Sequence, residues 1–382
     1  MEELNGNSNS GNAPKAQAET VERRKIVAGM NTQRLARAMF KADLSAAELR
    51  TLPAQSVYMA IKSLGLESAT DVLADLSPRQ YSRLLDFEFW RRDEFMEERF
   101  WQWLEAIDSR IDLSPLHRFI QCLPPTLLAL IVNRHVTTAV SDEPTNEAPG
   151  PNFFTPDQGF TWVSINIEDE TRFYLLGKLL AAIFEGRPEY FYQLLATAGE
   201  ATSVELEEES FQLKRSQLLA EGIPDFENAA EINSPLSADL FIAELNTSPW
   251  KGMGGDIVSI DPAVYGGNLG GLLTKLIEDV EQSAGMDGFE ELKGELTLIA
   301  NAALVYYQVD FSEEKQVQHA LNRIKEALEQ GLAKGTELTG KSLLQLHQAL
   351  GLVPIYRLGL KLIGPLLELT FTEPQEEEDE SE

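Results

Sequence analysis

Proline recurs directly after leucine or serine in residues 26–140, and this punctuation constrains the fold more than any other feature. Leu76-Ser77-Pro78 and Leu113-Ser114-Pro115 each place serine before proline, the pair that caps and opens an α-helix. Leu52-Pro53 and Leu123-Pro124 are related helix starts. The pattern predicts a series of short helices.

The spacing of these marks indicates an approximate repeat. Leu52, Leu76 and Leu123 are 24 and 47 residues apart, whereas Leu113 does not fit that period. Between the marks lie amphipathic segments such as 57–64. We therefore predict a domain of short helical repeats at residues 26–140, without an exact solenoid.

The proline-rich segment at residues 141–158 predicts a linker, since its four prolines and Gly150 leave neither helix nor strand intact. A second, larger helical domain is expected at residues 159–372. Its alternating segment Phe160–Ile167 predicts one short strand or hairpin. The fold class is mainly α.

Two helices of the second domain have clear signals. Thr171–Phe184 carries a broad apolar stripe, and apolar residues at 3–4 spacing from Val317 to Leu332 predict another helix. Asp310 and Glu313 form a possible capping box for the latter. We expect Gly331 and Gly335 to loosen and end it.

The charge balance limits the partners of the chain. Among 382 residues, 61 are acidic and 32 basic, giving a net charge of −29. Seven of the acids fall in residues 373–382, which we expect to be a disordered tail; residues 1–25 read as a disordered arm. Such a chain repels phosphate backbones and anionic lipids, so we expect neither nucleic acid nor membrane insertion, and a protein partner instead.

Other composition features favour the cytoplasm. Cys122 is the only cysteine, so no intrachain disulfide can form. The first 18 residues have no apolar core typical of a signal peptide, and the longest uncharged apolar stretch, Leu296–Val309, is too short to span a bilayer. The four histidines follow no zinc-binding spacing, so no metal site or cofactor is predicted. The glycine-rich segment 252–271 lacks the phosphate-binding motif and predicts a flexible loop.

One cluster of aromatic and charged residues is a candidate partner-binding surface. Aromatic rings interleaved with charges of both signs suit a protein interface. The alternative is a helix–helix junction with buried tryptophans and solvated charges. The candidate residues are Asp86, Trp90, Arg92, Asp93 and Trp103.

A second set of candidates is polar. Glu205, Glu208 and Arg215 share one helical face, and Lys214 lies beside them. Clustered carboxylates bind divalent cations or share a proton, although acids in a first helical turn are also simply favourable with the helix dipole. Convergence of Glu205 and Lys214 with Asn301 and Arg357 in one pocket would indicate an enzyme.

These segments resemble an uncharacterised bacterial family, a domain-of-unknown-function group, over nearly the whole chain outside its two ends. The resemblance implies no assigned chemistry. The short N-terminal helices are also similar to the cytoplasmic N-terminal domain of magnesium transporters, which implies an interaction module or a cation response. The segments that carry the resemblance to the domain-of-unknown-function family are Leu52-Pro53, Val57-Tyr58, Ile61-Lys62, Gly65-Leu66-Glu67, Asp86, Trp90, Asp93, Trp103-Leu104, 205–208, 222–226, 298–305 and 355–359.

The favoured hypothesis is a non-enzymatic interaction or scaffold protein whose helical repeats present a surface to a protein partner. A divalent-cation-responsive regulatory module and an enzyme of unrecognised type remain alternatives. The sequence predicts no oligomeric state.

Overall fold

A computed structural model of the protein describes residues 32–108, 112–245, 271–309 and 314–366. The predicted arm and acidic tail lie outside these residues, as do the capping box of Asp310 and Glu313 and the glycine-rich segment before Gly271. The fold is mainly α, as predicted. The chain divides into two compact units, residues 1–218 and 219–382.

The first unit is built from short helices and two small sheets. The helices are α1 (Thr32–Phe40), α2 (Ala46–Leu49), α3 (Ala54–Leu64), α4 (Thr70–Asp75), α5 (Pro78–Phe89), α6 (Glu97–Ala106), α7 (Ser114–Cys122), α8 (Pro125–His135), α9 (Glu170–Gly186), α10 (Pro188–Glu200) and α11 (Ser203–Leu219), with a 3₁₀ turn at Glu67–Ala69. The strands are β1 (Trp90–Arg91), β2 (Glu94–Phe95), β3 (Val136–Val140), β4 (Phe153–Phe154) and β5 (Thr161–Ile165).

The predicted helix starts are confirmed. Ser77 caps α5: its hydroxyl accepts a hydrogen bond from Gln80 N (3.2 Å), and Gln80 Oε1 accepts one from Ser77 N (3.0 Å). Helices α3 and α8 begin directly after Pro53 and Pro124. In α7 Leu113, not Ser114, is the capping residue. The repeat period itself stays a prediction.

One short strand or hairpin was expected in the second domain, whereas the five described strands all lie in the first unit. Strands β1 and β2 form an antiparallel hairpin with Trp90 opposite Phe95. Strand β5, which was predicted, lies in the first unit between β3 and β4, and both neighbours run antiparallel to it. The predicted linker at residues 141–158 lies between the paired strands β3 and β5 and contains β4, and the chain divides into its two compact units after Leu218. The prolines there break helices, but they do not separate compact units.

Aromatic rings form the core that carries the β1–β2 hairpin. Phe89, at the end of α5, is fully buried. Its ring centroid lies 5.9 Å from that of Phe100, 6.0 Å from that of Trp103 and 6.3 Å from that of Phe119. Edge-to-face packing of this kind stabilises a core beyond the area that it buries. The hairpin therefore begins directly after a closely packed part of the core.

The described residues of the second unit form helices joined by turns and loops, without a strand. The helices are α12 (Phe226–Ile232), α13 (Ala238–Glu244), α14 (Leu272–Tyr306), α15 (Glu314–Thr339), α16 (Leu343–Leu350) and α17 (Leu352–Ile363). Helix α14 is interrupted at Gly285, whose φ of 66° is not helical.

The prediction that Gly331 and Gly335 end α15 is wrong, because the helix continues to Thr339. A Cβ atom on Gly331 would lie 2.0 Å from the carbonyl oxygen of Ile355 in α17. Both glycines permit close packing against side chains or backbone of the same unit. Here glycine serves the contact between helices and not a helix end.

Across the described ranges no single helix is long and apolar enough to cross a membrane. The bent pair α7–α8, with 106° between its helices, meets the length and composition criterion, as buried core helices also do. Most of the apolar side chains of both helices are buried in the first unit.

Candidate functional site

The two clusters predicted from sequence meet in the first unit. Trp90 of the hairpin packs its ring 5.8 Å from that of Phe211 in α11. Lys214 Nζ lies 5.3 Å from the Trp90 ring centroid and 5.2 Å from that of Phe211. It donates a hydrogen bond to the carbonyl oxygen of Arg92 (2.8 Å). Helix α11 thus holds the base and the turn of the hairpin.

The side chain of Lys214 is half-buried, and its surroundings disfavour the charged form. Burial lowers the pKa of Lys214 to about 8, although the carboxylates of Asp86 and Asp93 act in the opposite direction. A lysine in this state is partly neutral near physiological pH. This is the strongest shift toward a reactive form among the candidate residues.

Asp86 is buried and forms an ion pair with Arg83, one turn earlier on α5. Arg83 also donates a hydrogen bond to Gln217 Oε1 of α11 (2.7 Å). A buried pair of this kind is costly to break by removing one partner. Asp86 therefore joins α5 to α11 through Arg83 and is not open to a binding partner.

The tryptophans match the alternative interpretation, a junction inside the core. Trp90 is 8% exposed and Trp103 is 2% exposed. Arg92 and Asp93 are exposed in the hairpin turn, where Arg92 has a φ of 58°. Of the five partner-binding candidates, these two alone present their side chains to solvent.

A network around Glu97 was missed in the sequence. His135 Nε2 lies 2.5 Å from Glu97 Oε1, Arg134 donates to Glu97 Oε2 (2.9 Å), and Trp101 Nε1 donates to Oε1 (3.1 Å). Burial opposes ionisation, but these hydrogen bonds outweigh it and lower the pKa of Glu97 to about 2. Arg134 also pairs with Glu207 (2.5 Å), which accepts from Phe95 N (3.1 Å).

That network ties α6, β2, α8 and α11 together. The helices and the strand that it joins are far apart in sequence, so no spacing rule unites them. The local signals were the adjacent Arg134 and His135 in the last turn of a helix and the four-residue spacing of Glu97 and Trp101.

Glu205 and Glu208, the two candidate acids of α11, have partners nearby in the sequence. Glu205 Oε2 accepts hydrogen bonds from Thr202 N (2.9 Å) and Thr202 Oγ1 (2.8 Å), which closes the first turn of the helix. These bonds lower the pKa of Glu205. Glu208 accepts from Gln212 (2.7 Å), and Arg215 follows on the same helix.

In the described part of the chain, no group of three or more His, Cys, Asp or Glu side chains could hold a metal ion. The cation-responsive alternative stays a prediction.

Asn301 and Arg357 lie in the second unit and bind backbone carbonyls there. Asn301 is fully buried and donates to Gly222 O (2.9 Å). Arg357 Nε donates to Ser234 O (2.9 Å), and its guanidinium lies 3.6 Å from Glu244. Both side chains fasten helices to the loops around them.

Strand β3 is an edge of the three-stranded sheet and was also missed. Hydrogen bonds from Ser141 N to Phe160 O (2.9 Å) and from Asn166 N to His135 O (2.8 Å) fix which residues face β5. Because the direction of backbone groups alternates along a strand, Thr138 and Val140 direct their N–H and C=O groups away from β5. Within the described residues, no backbone partner meets those groups.

The run of Val136, Thr137, Thr138, Ala139 and Val140 was the available sequence signal, since four of its five residues are β-branched. It went unrecognised because it follows a helix without any turn residue between them. The last helical residue, His135, is directly followed by the strand.

Comparisons with known proteins identify the family of the chain and give no function. No curated protein and no solved structure matches the chain. The expected similarity to magnesium transporters is not shown. The profile described as "Family of unknown function (DUF6178)" matches residues 12–369, which agrees with the resemblance drawn from the sequence motifs. The chain therefore belongs to the family of unknown function DUF6178.

Proposed function

We propose that this protein is a non-enzymatic, cytoplasmic protein-interaction module that binds an extended segment of a partner protein along the outer edge of β3. One observation carries the proposal: Thr138 and Val140 direct backbone donors and acceptors away from the sheet, without backbone partners among the described residues. Such an edge is a template for an added strand, because a partner's backbone satisfies these groups.

The side chains of β3 support this function. Soluble proteins ordinarily blunt an edge strand with charge, proline or a bulge, and the five residues of β3 contain no charged residue and no proline. Val140 is 77% exposed. By the sheet register, it lies on the same face as the exposed Phe154 of β4. An added strand would extend this face.

Charge next to the edge favours a basic partner. Asp142 and Glu143 follow β3 after Ser141 and are exposed, and the whole chain carries a net charge of −29. A partner segment with uncharged β-branched residues beside lysine or arginine complements this end of the strand. Strongly acidic segments are disfavoured.

The test compares four forms of the full chain as bait in extracts of the source cell. Thr138→Pro removes the outward N–H, whereas Thr138→Val changes the side chain alone and serves as the matched control. We expect one partner to be retained by the wild type and by Thr138→Val and lost with Thr138→Pro. Val140→Lys, which places charge on an exposed edge residue, should weaken the same interaction.

Amide hydrogen exchange provides an independent readout. In the free protein, the amides of Thr138 and Val140 should exchange faster than those of Thr137 and Ala139, and the partner should slow them. Light scattering shows whether the occupant is a second copy of the chain. Equal capture by wild type and Thr138→Pro, with both folded, would overturn the proposal.

A further inference from the structure

Lys214 differs from the other lysines that have described contacts. Lys62, Lys178 and Lys334 each lie within 3.1 Å of a carboxylate oxygen. In the described part of the chain, Lys214 forms no ion pair, and its hydrogen bond goes to the neutral carbonyl of Arg92. The rings of Trp90 and Phe211 lie beside the amine of Lys214.

We infer that Lys214 is a covalent acylation site of this protein, with acyl phosphates as the class of acyl donor. The site stands on geometry: an amine held between Trp90 and Phe211, half-buried, and directed at a single acceptor. Arg91 at the end of β1 and Arg92 in the turn are exposed near the site and add positive charge there, which favours the approach of a phosphate.

The surroundings supply the neutral amine that the reaction needs. With a pKa of about 8, roughly one Lys214 amine in four is neutral at pH 7.5. An ordinary lysine, with a pKa of 10.5, has about one neutral amine in a thousand. Lower basicity reduces the intrinsic nucleophilicity of an amine, but by less than this gain.

The charged groups around Lys214 come from three elements. Asp86 and its partner Arg83 lie on α5, and Asp93 lies with Arg92 in the hairpin turn. On α11 itself, Arg215 follows directly. Both carboxylates raise the pKa of Lys214, so removing one of them should increase its reactivity.

The step balances without a further reactant. The nitrogen lone pair of neutral Lys214 attacks the acyl carbon, and a C–N bond forms. The bond between that carbon and the bridging phosphate oxygen breaks, inorganic phosphate leaves, and the amine proton passes to solvent. The amide product carries no charge, so both cation–π contacts of Lys214 are lost.

The experiment treats the full chain with limiting acetyl phosphate and measures the acetylation rate of each lysine by peptide mass spectrometry. Lys275, an exposed lysine of α14, is the internal reference. At pH 7.5 we expect Lys214 to react about tenfold faster than Lys275. Above pH 9 the rate of Lys214 should level off.

Substitutions at two exposed acids of the hairpin, Asp93 in the turn and Glu94 in β2, test the electrostatic cause of the reactivity. Asp93→Asn should raise the rate of Lys214 at pH 7.5 by roughly twofold, because a nearby negative charge is removed. Glu94→Gln, one residue further on, is the matched control and should leave the rate unchanged.

Lys214 reacting no faster than Lys275, with a rate that rises beyond pH 10, would overturn the inference. An unchanged rate in Asp93→Asn would overturn the electrostatic explanation. Neither result depends on the β3 edge, so this inference and the proposed function fail separately.

Discussion

Helices α15 and α17 of the second unit cross at backbone distance, whereas the β1–β2 hairpin of the first unit rests on α11 through long polar and aromatic side chains. At the helix crossing, glycine is required because the backbones of the two helices meet there, and the buried Tyr356 of α17 has its hydrogen-bond partner within the same unit. At the hairpin, charges remain half-buried and an amine is partly neutral. Asn301 and Arg357 were candidates from the sequence just as Lys214 was. In the second unit the first two bind backbone carbonyls and are structural, whereas in the first unit the amine of Lys214 is available for chemistry.

The largest expected effect tests the closeness of the helix crossing. A Cβ atom at Gly359 would lie 1.8 Å from the carbonyl oxygen of Ala327, so Gly359→Ala must separate α15 from α17. We expect a loss of about 3 kcal/mol in the free energy of unfolding, measured by hydrogen exchange of these helices.

Gly199→Ala in α10 is the matched control, because a Cβ atom there meets nothing within 4 Å. It should stabilise the first unit by about 0.5 kcal/mol. Equal effects at Gly359 and Gly199 would contradict the tight crossing.

The next effect concerns the charge network of the first unit. The folded-state pKa of Glu97 is about 2, below its ordinary 4.5, so its stabilisation is fully present above pH 4.5 and lost as pH falls to 2. With a discount for partial exposure, this amounts to about 2 kcal/mol.

Glu97→Gln should therefore lower the free energy of unfolding at pH 7, and the difference from wild type should shrink toward pH 2. Denaturant titrations across this range measure it. Glu98→Gln, at a largely exposed acid that pairs with Arg172, should show a much smaller pH-dependent difference. A constant difference across the range would count against the network.

A smaller effect is expected at the buried polar contacts of the second unit. The hydroxyl of Tyr356 donates to Asn233 Oδ1 (2.7 Å), and both residues are buried. Tyr356→Phe leaves that oxygen short of a donor and should cost about 1 kcal/mol. Exposed Tyr174→Phe should change stability by less than about 0.5 kcal/mol. Similar values for both would mean that the buried bond contributes nothing.

The sequence predicted those structural features that depend on residues close together in the chain. Ser77 and Pro78 specified a helix start because capping needs atoms within three residues. The sequence could not predict contacts that depend on tertiary packing. Gly331 looked like a helix end because the backbone of α17 that requires it lies 24 residues away.

The candidate site divides in the same way. The sequence grouped the residues around Lys214 into two separate clusters, and only the fold shows that the two clusters meet. Strand β3 escaped because it follows α8 without an intervening turn residue. In each case the missing information was a neighbour distant in sequence.

The smallest expected effect separates the amine of Lys214 from purely structural groups. Its folded-state pKa of about 8 lies below 10.5, so the unfolded chain binds more protons between these values, and this residue makes stability rise with pH there. Partial exposure limits the rise to less than about 1 kcal/mol. In Lys214→Met the rise should be absent, and denaturant titrations of both proteins from pH 7.5 to 10 measure the difference. Lys178→Met, at a lysine paired with Asp108 at 2.5 Å, is the control and should leave the slope in this range intact. A wild-type slope unchanged by Lys214→Met would place Lys214 with the structural residues and erase the contrast between the two units.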